Sequence, residues 1–218
     1  THPLDLFSPP IQTWFRTRYG EPTLPQALGW PAIARGEHTL ILSPTGSGKT
    51  MAAFLWGIQR IFADLQADSG LKGVQLLYIS PLKALNNDIA RNLREPLAGI
   101  CYTAQAQGIS LPALHIAVRT GDTPASARQR MVTQPPHILI TTPESLYLIL
   151  TSPQAREMLR TVNTVIVDEI HTLCGAKRGV HLALSLERLE HLTGQPFQRI
   201  GLSATQRPLD EVGRFLAG

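Results

Sequence analysis

The chain has 218 residues, of which 43% are hydrophobic, and a formal net charge of +4 at pH 7. That length can bury a sizeable core as one domain or two, and the composition is typical of a globular protein. No apolar stretch is long enough for a membrane helix, and the N-terminus has no signal-peptide pattern, so neither is expected. The two cysteines, Cys101 and Cys174, indicate no disulfide framework, which fits a reducing cytoplasm. The positive charge favours a polyanionic partner.

Residues 1–37 are predicted to flank a main domain that spans residues 38–218. Apolar spacing from Ile11 to Tyr19 predicts one helix, and residues 26–35 predict a second. Gln26 carries a paired donor and acceptor that can read the N6 and N7 edge of adenine. The alternative for Gln26 is a solvated helix residue.

A phosphate-binding loop is predicted between a short apolar strand, Leu40–Leu42, and an apolar-periodic helix. Pro44 lacks an amide donor and two glycines favour turns, so the strand cannot continue. Lys49 would contact the β- and γ-phosphates, and the Thr50 hydroxyl would hold Mg²⁺. Ser43 stands where the usual pattern begins with Gly. The candidate nucleotide ligands in this loop are Thr45, Gly46, Ser47, Gly48, Lys49 and Thr50.

Strands and helices are expected to alternate along the rest of the chain. Further strands are predicted at 74–79, 114–118, 137–140, 162–167 and 197–202, each with a helix after it. This alternation predicts an α/β fold with a mostly parallel sheet and helices on both faces.

An acidic pair, Asp168 and Glu169, follows the most β-branched of these strands. Two adjacent carboxylates at the end of a buried strand are costly without a counter-charge, and a Mg²⁺–nucleotide complex supplies one. Asp168 is therefore predicted to hold the metal and Glu169 to deprotonate the attacking water.

Hydroxyl and basic residues follow the other strands. Thr142, as an N-cap before Pro143, predicts a helix start whose amides and hydroxyls also suit a phosphate. Residues 203–205 could hydrogen-bond the turn after Asp168 and relay the nucleotide state to another surface. The arginines of residues 111–137 are also compatible with an ordinary solvated basic face.

Five segments together resemble the first RecA-like motor domain of superfamily 2 helicases of the DExH type. Residues 43–50 resemble motif I, 168–171 motif II and 203–205 motif III, while 81–85 and 141–145 are similar to motifs Ia and Ib. Residues 119–123, with an opening Leu6-Phe-Ser-Pro and Trp14-Phe15, look most like the large helicase-related (Lhr) family. The Ski2-like group is the nearest alternative.

The resemblance implies a RecA-like P-loop domain that binds ATP and Mg²⁺. It implies 3′-to-5′ movement along single-stranded DNA, with displacement of DNA or RNA strands, and leaves RNA or an RNA–DNA hybrid as further partners. Gln26 would read adenine, and Lys49, Asp168, Glu169 and His171 would be catalytic. His171, Ser203 and Thr205 would couple hydrolysis to strand movement. The implied contacts to the tracking strand are Lys83, Arg119, Thr120, Thr141, Thr142, Glu144 and Ser145.

A helicase of this type hydrolyses ATP between two RecA-like domains, and the second supplies an arginine finger. The 218 residues alone are therefore expected to have little ATPase and no unwinding activity. Other expectations are a cytoplasmic, nucleoid-associated location and no membrane partner. The competing interpretation is a nucleic-acid-binding module that keeps the fold without catalysis. A nucleotide kinase or GTPase has no support in these motifs.

Overall fold

Six short strands form one sheet in the computed structural model, which describes residues 2–204 and 209–217 apart from the side chains of residues 83–85, 209, 211 and 217. The strands follow the order β1-β6-β5-β2-β4-β3, and every neighbouring pair is parallel. Their bounds are β1 Thr39–Leu42, β2 Leu76–Ile79, β3 Ile116–Arg119, β4 Ile138–Thr141, β5 Thr164–Val167 and β6 Gln198–Ser203. The predicted α/β fold and parallel sheet are confirmed.

Eight α-helices connect or flank the strands over the described residues. They are α1 Pro9–Tyr19, α2 Leu24–Ala34, α3 Lys49–Ala67, α4 Lys83–Ala106, α5 Ala125–Thr133, α6 Pro143–Thr151, α7 Lys177–Thr193 and α8 Leu209–Ala217. Short 3₁₀ helices at Pro3–Leu6, Ala155–Leu159 and Ile170–Thr172 complete the regular structure. None of these helices is long and apolar enough to span a membrane.

The strands lie in the middle of the molecule because both faces of the sheet are covered. Helices α1 to α4 pack on one face, and α5 to α8 pack on the other. The central strands β2, β4 and β5 are buried at every position, whereas the edge strand β3 is only partly buried. Continuous apolar strands of this kind are typical of a parallel sheet covered on both sides.

The N-terminal helices share the core of the sheet. Phe15 and Trp30 are fully buried, and their rings meet edge to face with centroids 5.4 Å apart. Both residues belong to the same hydrophobic cluster as Ile41 in β1 and Phe54 in α3. The helices that precede β1 are thus packed into the α/β body, and the predicted division between residues 1–37 and 38–218 stays a prediction.

The strand register brings the predicted motifs to one edge of the sheet. Ile79 pairs with both Thr141 and Val167, and Leu42 pairs with Ser203. Since the strands are parallel, the residues that follow them lie along the carboxyl edge, where open α/β sheets bind ligands.

Candidate nucleotide-binding and catalytic site

The loop from Ser43 to Gly48 curls over the N-terminus of α3. Gly46 and Gly48 have φ angles of +82° and +83°, in the left-handed region that L-residues rarely adopt. The Ser43 amide donates to the Ser203 carbonyl at 3.1 Å, which fixes the start of the loop to β6. The predicted strand, turn and helix are all present, with Gly48 as the N-cap of α3.

Polar groups converge inside this loop. The Lys49 side chain is 7% exposed, and its Nζ donates to the Pro44 carbonyl at 3.5 Å. The buried Ser47 Oγ has no hydrogen-bond partner among the described residues. Such a buried hydroxyl is costly unless a ligand satisfies it. Together with the positive end of the 19-residue helix α3, these groups are suited to an anion such as a phosphate.

Gln26 lies against the loop and is already engaged with the protein. Its Oε1 accepts a hydrogen bond from the Thr23 amide at 2.9 Å, and its Nε2 donates to the Gly48 carbonyl at 3.3 Å. The Thr23 hydroxyl donates to the Ser47 carbonyl at 2.9 Å. Only one N–H and one lone pair remain on the Gln26 amide for a base. Its reading of adenine stays a prediction, and its observed contact is with the loop backbone.

Asp168 occupies the first position after β5 and is 6% exposed. Its Oδ1 accepts from the Glu169 amide at 2.9 Å, and its Oδ2 accepts from the hydroxyl of Tyr78. Burial, and the charge of Asp168 beside it, raise the pKa of Tyr78 well above its ordinary value. The phenol is therefore the donor in this bond. Sequence reasoning missed Tyr78, since 90 residues separate it from Asp168.

Glu169 has an unusual backbone conformation. With φ 46° and ψ 38°, it is the one non-glycine residue at positive φ in the part of the chain that the structure describes. Its carbonyl accepts from both the amide and the hydroxyl of Thr172, each at 2.8 Å. A left-handed residue of this kind costs about 1–2 kcal/mol and marks a candidate functional position.

His171 connects Glu169 with β6. Its Nε2 lies 3.5 Å from Glu169 Oε2, and its Nδ1 lies 2.9 Å from Ser203 Oγ. The structure thus joins the predicted base to Ser203, whose carbonyl also holds the phosphate loop at Ser43. Thr205, the other predicted coupling residue, lies outside the described residues. The coupling of ATP hydrolysis to strand movement stays a prediction. Ser203 does contact both His171 and the start of the phosphate loop.

Gln26, Lys49, Asp168 and Glu169 line a cleft of about 590 Å³. Lys49 is the one cationic side chain among its described lining residues, whereas four carboxylates face it, those of Glu21, Glu95, Asp168 and Glu169. The Thr50 hydroxyl lines the same cleft as Asp168. Carboxylate and hydroxyl oxygens are the hard ligands that Mg²⁺ prefers, so the residues fit the predicted metal.

The second predicted cluster lies farther along the same edge, beyond β2. Thr141 Oγ1 donates to the Arg119 carbonyl at 2.7 Å, and Thr142 Oγ1 accepts from the Ser145 amide at 3.2 Å, which caps α6. Thr141, Thr142 and Ser145 are at most 4% exposed. Their hydroxyls therefore form hydrogen bonds within the protein. Contact with a nucleic-acid strand stays a prediction, and it would require these side chains to turn outward.

Arg119 and Thr120 at the end of β3 are more accessible. Burial, and then the neighbouring Arg128, lower the pKa of Arg119 from its ordinary value. Arg128 also donates to the Gly121 carbonyl at 2.7 Å, which braces the loop after β3. Two adjacent guanidinium groups at this edge are consistent with an anionic partner. Lys83 begins α4, and its side chain lies outside the described part of the chain.

Glu144 is paired with a residue that sequence reasoning missed. Arg178 in α7 donates from Nε to Glu144 Oε1 at 2.7 Å and from Nη2 to the Pro81 carbonyl at 2.9 Å. Partial burial raises the pKa of Glu144, but Arg178 outweighs it and holds that pKa below its ordinary value. Arg178 thereby joins the two segments predicted as motifs Ia and Ib. The Glu144 side chain remains 55% exposed in this ion pair, and its contact with a nucleic-acid strand stays a prediction.

Comparison with known proteins agrees with this geometry. The chain matches the DEAD/DEAH box helicase family over residues 23–212. It is 55% identical over 216 residues to the Lhr helicase/probable uracil glycosylase of Mycolicibacterium smegmatis, covering 99% of this chain and 14% of that protein. It is 51% identical over 215 residues to the ATP-dependent helicase Lhr-Core of Methanocaldococcus jannaschii, covering 98% and 25%. The chain therefore spans a seventh to a quarter of the length of these relatives.

Solved structures show the same relationship. The structure of Mycobacterium smegmatis helicase Lhr bound to ssDNA and AMP-PNP superposes with a TM-score of 0.94 at 54% identity, over 100% of this chain and 27% of that one. The DEAD-box helicase Mss116, bound to ssRNA and UDP-BeF, shares the fold with a TM-score of 0.79 at 20% identity, over 97% and 41%. The chain belongs to the DEAD/DEAH box helicase family, and over almost its whole length it is similar in sequence and fold to part of the Lhr helicases.

Proposed function

We propose that this chain is the ATP-binding half of a motor that moves 3′ to 5′ along single-stranded DNA and displaces DNA or RNA strands ahead of it. The observation that carries the proposal is the row of groups at one sheet edge: the phosphate loop, Asp168 with Glu169, and His171 bonded to Ser203. Nucleotide hydrolysis and a link to another surface both require groups placed in this way.

The chemistry assigned to each residue follows from its position. The loop amides and Lys49 would bind the phosphates, and Thr50 with Asp168 would hold Mg²⁺, which neutralises phosphate charge when bound. Glu169 would accept a proton from the attacking water. Its left-handed backbone aims the next residues back toward β6, so His171 meets Ser203.

The charge of the cleft supports a requirement for a second RecA-like domain. Asp168 and Glu169 lie in the same lining as Lys49, while Glu21 and Glu95 pair with His2 and Arg18, and the ligand would add several negative charges. Mg²⁺ offsets part of this imbalance, and a cation supplied from outside these 218 residues would offset more. An arginine in that role contributes roughly 10³–10⁵ in rate.

Single-stranded DNA is the proposed track, and the 54% identical Lhr structure bound to ssDNA supports it. The proposed contacts are Lys83, Arg119 and Thr120, with the α6 N-terminus behind them. DNA duplexes and RNA–DNA hybrids are proposed as the substrates from which a strand is displaced. A cytoplasmic, nucleoid-associated location is proposed with this function.

Nucleic-acid-stimulated ATPase of the full-length protein tests the proposal, with Glu169→Gln as the diagnostic variant. It should bind Mg²⁺–nucleotide as the unaltered protein does and lose about 10²–10⁴-fold in turnover, because the general base is gone. Glu157→Gln removes the same charge from an exposed residue outside the cleft lining and should keep turnover.

Two results would contradict the proposal. Turnover that survives Glu169→Gln would remove the catalytic assignment. DNA binding without any ATPase in the unaltered protein would instead identify a non-catalytic nucleic-acid-binding module.

A further inference from the structure

The structure assigns Tyr78 as a positioning residue for the metal-binding carboxylate of Asp168. This inference rests on the proposed function, because it concerns how the Mg²⁺–nucleotide complex would be held. Tyr78 is fully buried in β2, and its hydroxyl donates to Asp168 Oδ2. The bond joins two central strands at the carboxyl edge.

The strand register explains why this pair meets. Tyr78 lies directly opposite Ile166 in β5, and Asp168 is two residues beyond Ile166 on the same face of the sheet. Diagonal neighbours of this kind are within reach of an aromatic side chain. The Tyr78 ring points toward α3 and stacks on Phe54, with centroids 4.9 Å apart and an interplanar angle of 24°. Phe54 lies one helical turn after Thr50, so the same helix supports the tyrosine and the predicted metal hydroxyl.

Packing alone does not require the hydroxyl. Leu76, the other β2 residue in the same hydrophobic cluster as Tyr78, is aliphatic and is buried there without a polar side-chain atom. A phenylalanine would keep the stacking on Phe54. The hydroxyl therefore adds one thing, a donor aimed at Asp168.

That donor fixes how the carboxylate faces the cleft. Oδ1 is held by the Glu169 amide at 2.9 Å and Oδ2 by the tyrosine, so both ends of the carboxylate are tied to the protein. Each carboxylate oxygen keeps a second lone pair, so the pair of bonds orients Asp168 without exhausting it. Partners of this type commonly change metal affinity or activity by 10–100-fold when they are removed.

The experiment compares nucleotide binding with and without metal in the full-length protein. A fluorescent ADP analogue is titrated in Mg²⁺ and again in EDTA, and Mg²⁺ is titrated at fixed nucleotide. For Tyr78→Phe we expect roughly 10-fold weaker binding in Mg²⁺, a matching rise in the Mg²⁺ midpoint, and unchanged binding in EDTA. Tyr102→Phe removes an exposed hydroxyl from α4 and should change none of these values.

A double-mutant cycle separates positioning from general packing. If Tyr78 acts through Asp168, its substitution should have no further effect in an Asp168→Asn background. Equal weakening in Mg²⁺ and EDTA, an effect that persists in the Asp168→Asn background, or no effect at all would each overturn the assignment. Failure of the unaltered protein to bind nucleotide more tightly in Mg²⁺ would instead contradict the proposed function itself.

Discussion

At the scale of single residues, the site depends on backbone geometry as much as on side-chain chemistry. Lys49, Asp168 and Glu169 were predictable because their types and their places after apolar strands leave few alternatives. Tyr78 and Arg178 were not predictable, since their partners lie on other elements and a buried tyrosine is ordinary core. The left-handed Glu169 carried no signal either, because glutamate rarely adopts that conformation.

Gly48 gives a residue-scale prediction. A Cβ there would lie 2.6 Å from Gln26 Nε2, and its φ of +83° is strained for alanine. Gly48→Ala should cost about 1–2 kcal/mol of unfolding free energy and also displace the Gln26 amide from the loop, so nucleotide affinity should fall. Gly108→Ala is the control, because its φ is +73° and, in the described part of the chain, no atom lies within 4 Å of the added methyl.

Nucleotide titration and chemical denaturation of both variants check this prediction. Similar losses of stability with a loss of affinity only at Gly48 would support the role of the contact with Gln26. Equal nucleotide affinity in the two variants would show that the loop tolerates the displaced amide.

At the scale of elements, the order of strands and helices was predictable and their packing was not. Apolar strands separated by amphipathic helices indicate a parallel α/β sheet, which the structure confirms. The spatial order of strands depends on pairings between distant residues, which local patterns do not encode. The burial of Thr142 and Ser145 has the same origin, because it depends on how α6 docks beside β4.

Helix α1 gives a prediction through its contact with α4. A Cβ on Gly99 would lie 2.3 Å from Trp14 Nε1. Alanine in a helix normally gains about 1 kcal/mol over glycine, but overpacking a buried contact costs about 1–3 kcal/mol. Gly99→Ala should therefore destabilise the protein, whereas Gly213→Ala in α8, where no atom of the described residues lies within 4 Å of the added Cβ, should stabilise it. Thermal unfolding measures both, and a stabilised Gly99→Ala would show that α1 is not firmly docked.

His137, just before β4, gives a pH prediction. Burial, and then the neighbouring His115, lower the pKa of His137 below its ordinary value of 6.5, and its Nδ1 accepts from the His115 amide at 3.1 Å. The unfolded chain then binds more protons at this residue than the folded chain, so stability should fall as pH drops below about 6.5.

Urea denaturation between pH 5 and 7.5 measures this slope. His137→Gln should flatten it, while His191→Gln, at an exposed position in α7, should leave it unchanged. If the pH dependence of the unfolding free energy were unchanged in His137→Gln, another residue would be responsible for the loss of stability at low pH.

At the scale of the whole molecule, a net charge of +4 favours nucleic acid without locating it. Position along the sheet edge is more informative, because Arg119 lies beside Thr141 at the end of the edge strand. Net charge alone does not distinguish a specific phosphate contact from general electrostatic attraction. A test of Arg119 therefore needs a control substitution at another arginine.

Arg119→Gln should weaken binding of single-stranded DNA and reduce its salt dependence, by roughly 0.7 in the slope of log K against log salt for one lost phosphate contact. Arg130→Gln removes the same charge from an exposed position on α5 and should change the slope little. Fluorescence anisotropy over a salt series measures both. Equal effects would indicate a diffuse electrostatic contribution and no defined contact.

The continuous parallel sheet has a mechanical consequence. Asp168 follows β5 and Thr141 ends β4, with only β2 between them, so the two clusters are about 10 Å apart on a stiff support. Because the sheet is rigid, the distance between the cluster after β5 and the cluster at the end of β4 stays constant. In the proposed motor, movement along a nucleic-acid strand would therefore come from a change in orientation between this sheet and a second domain, and the bound nucleotide would set that orientation.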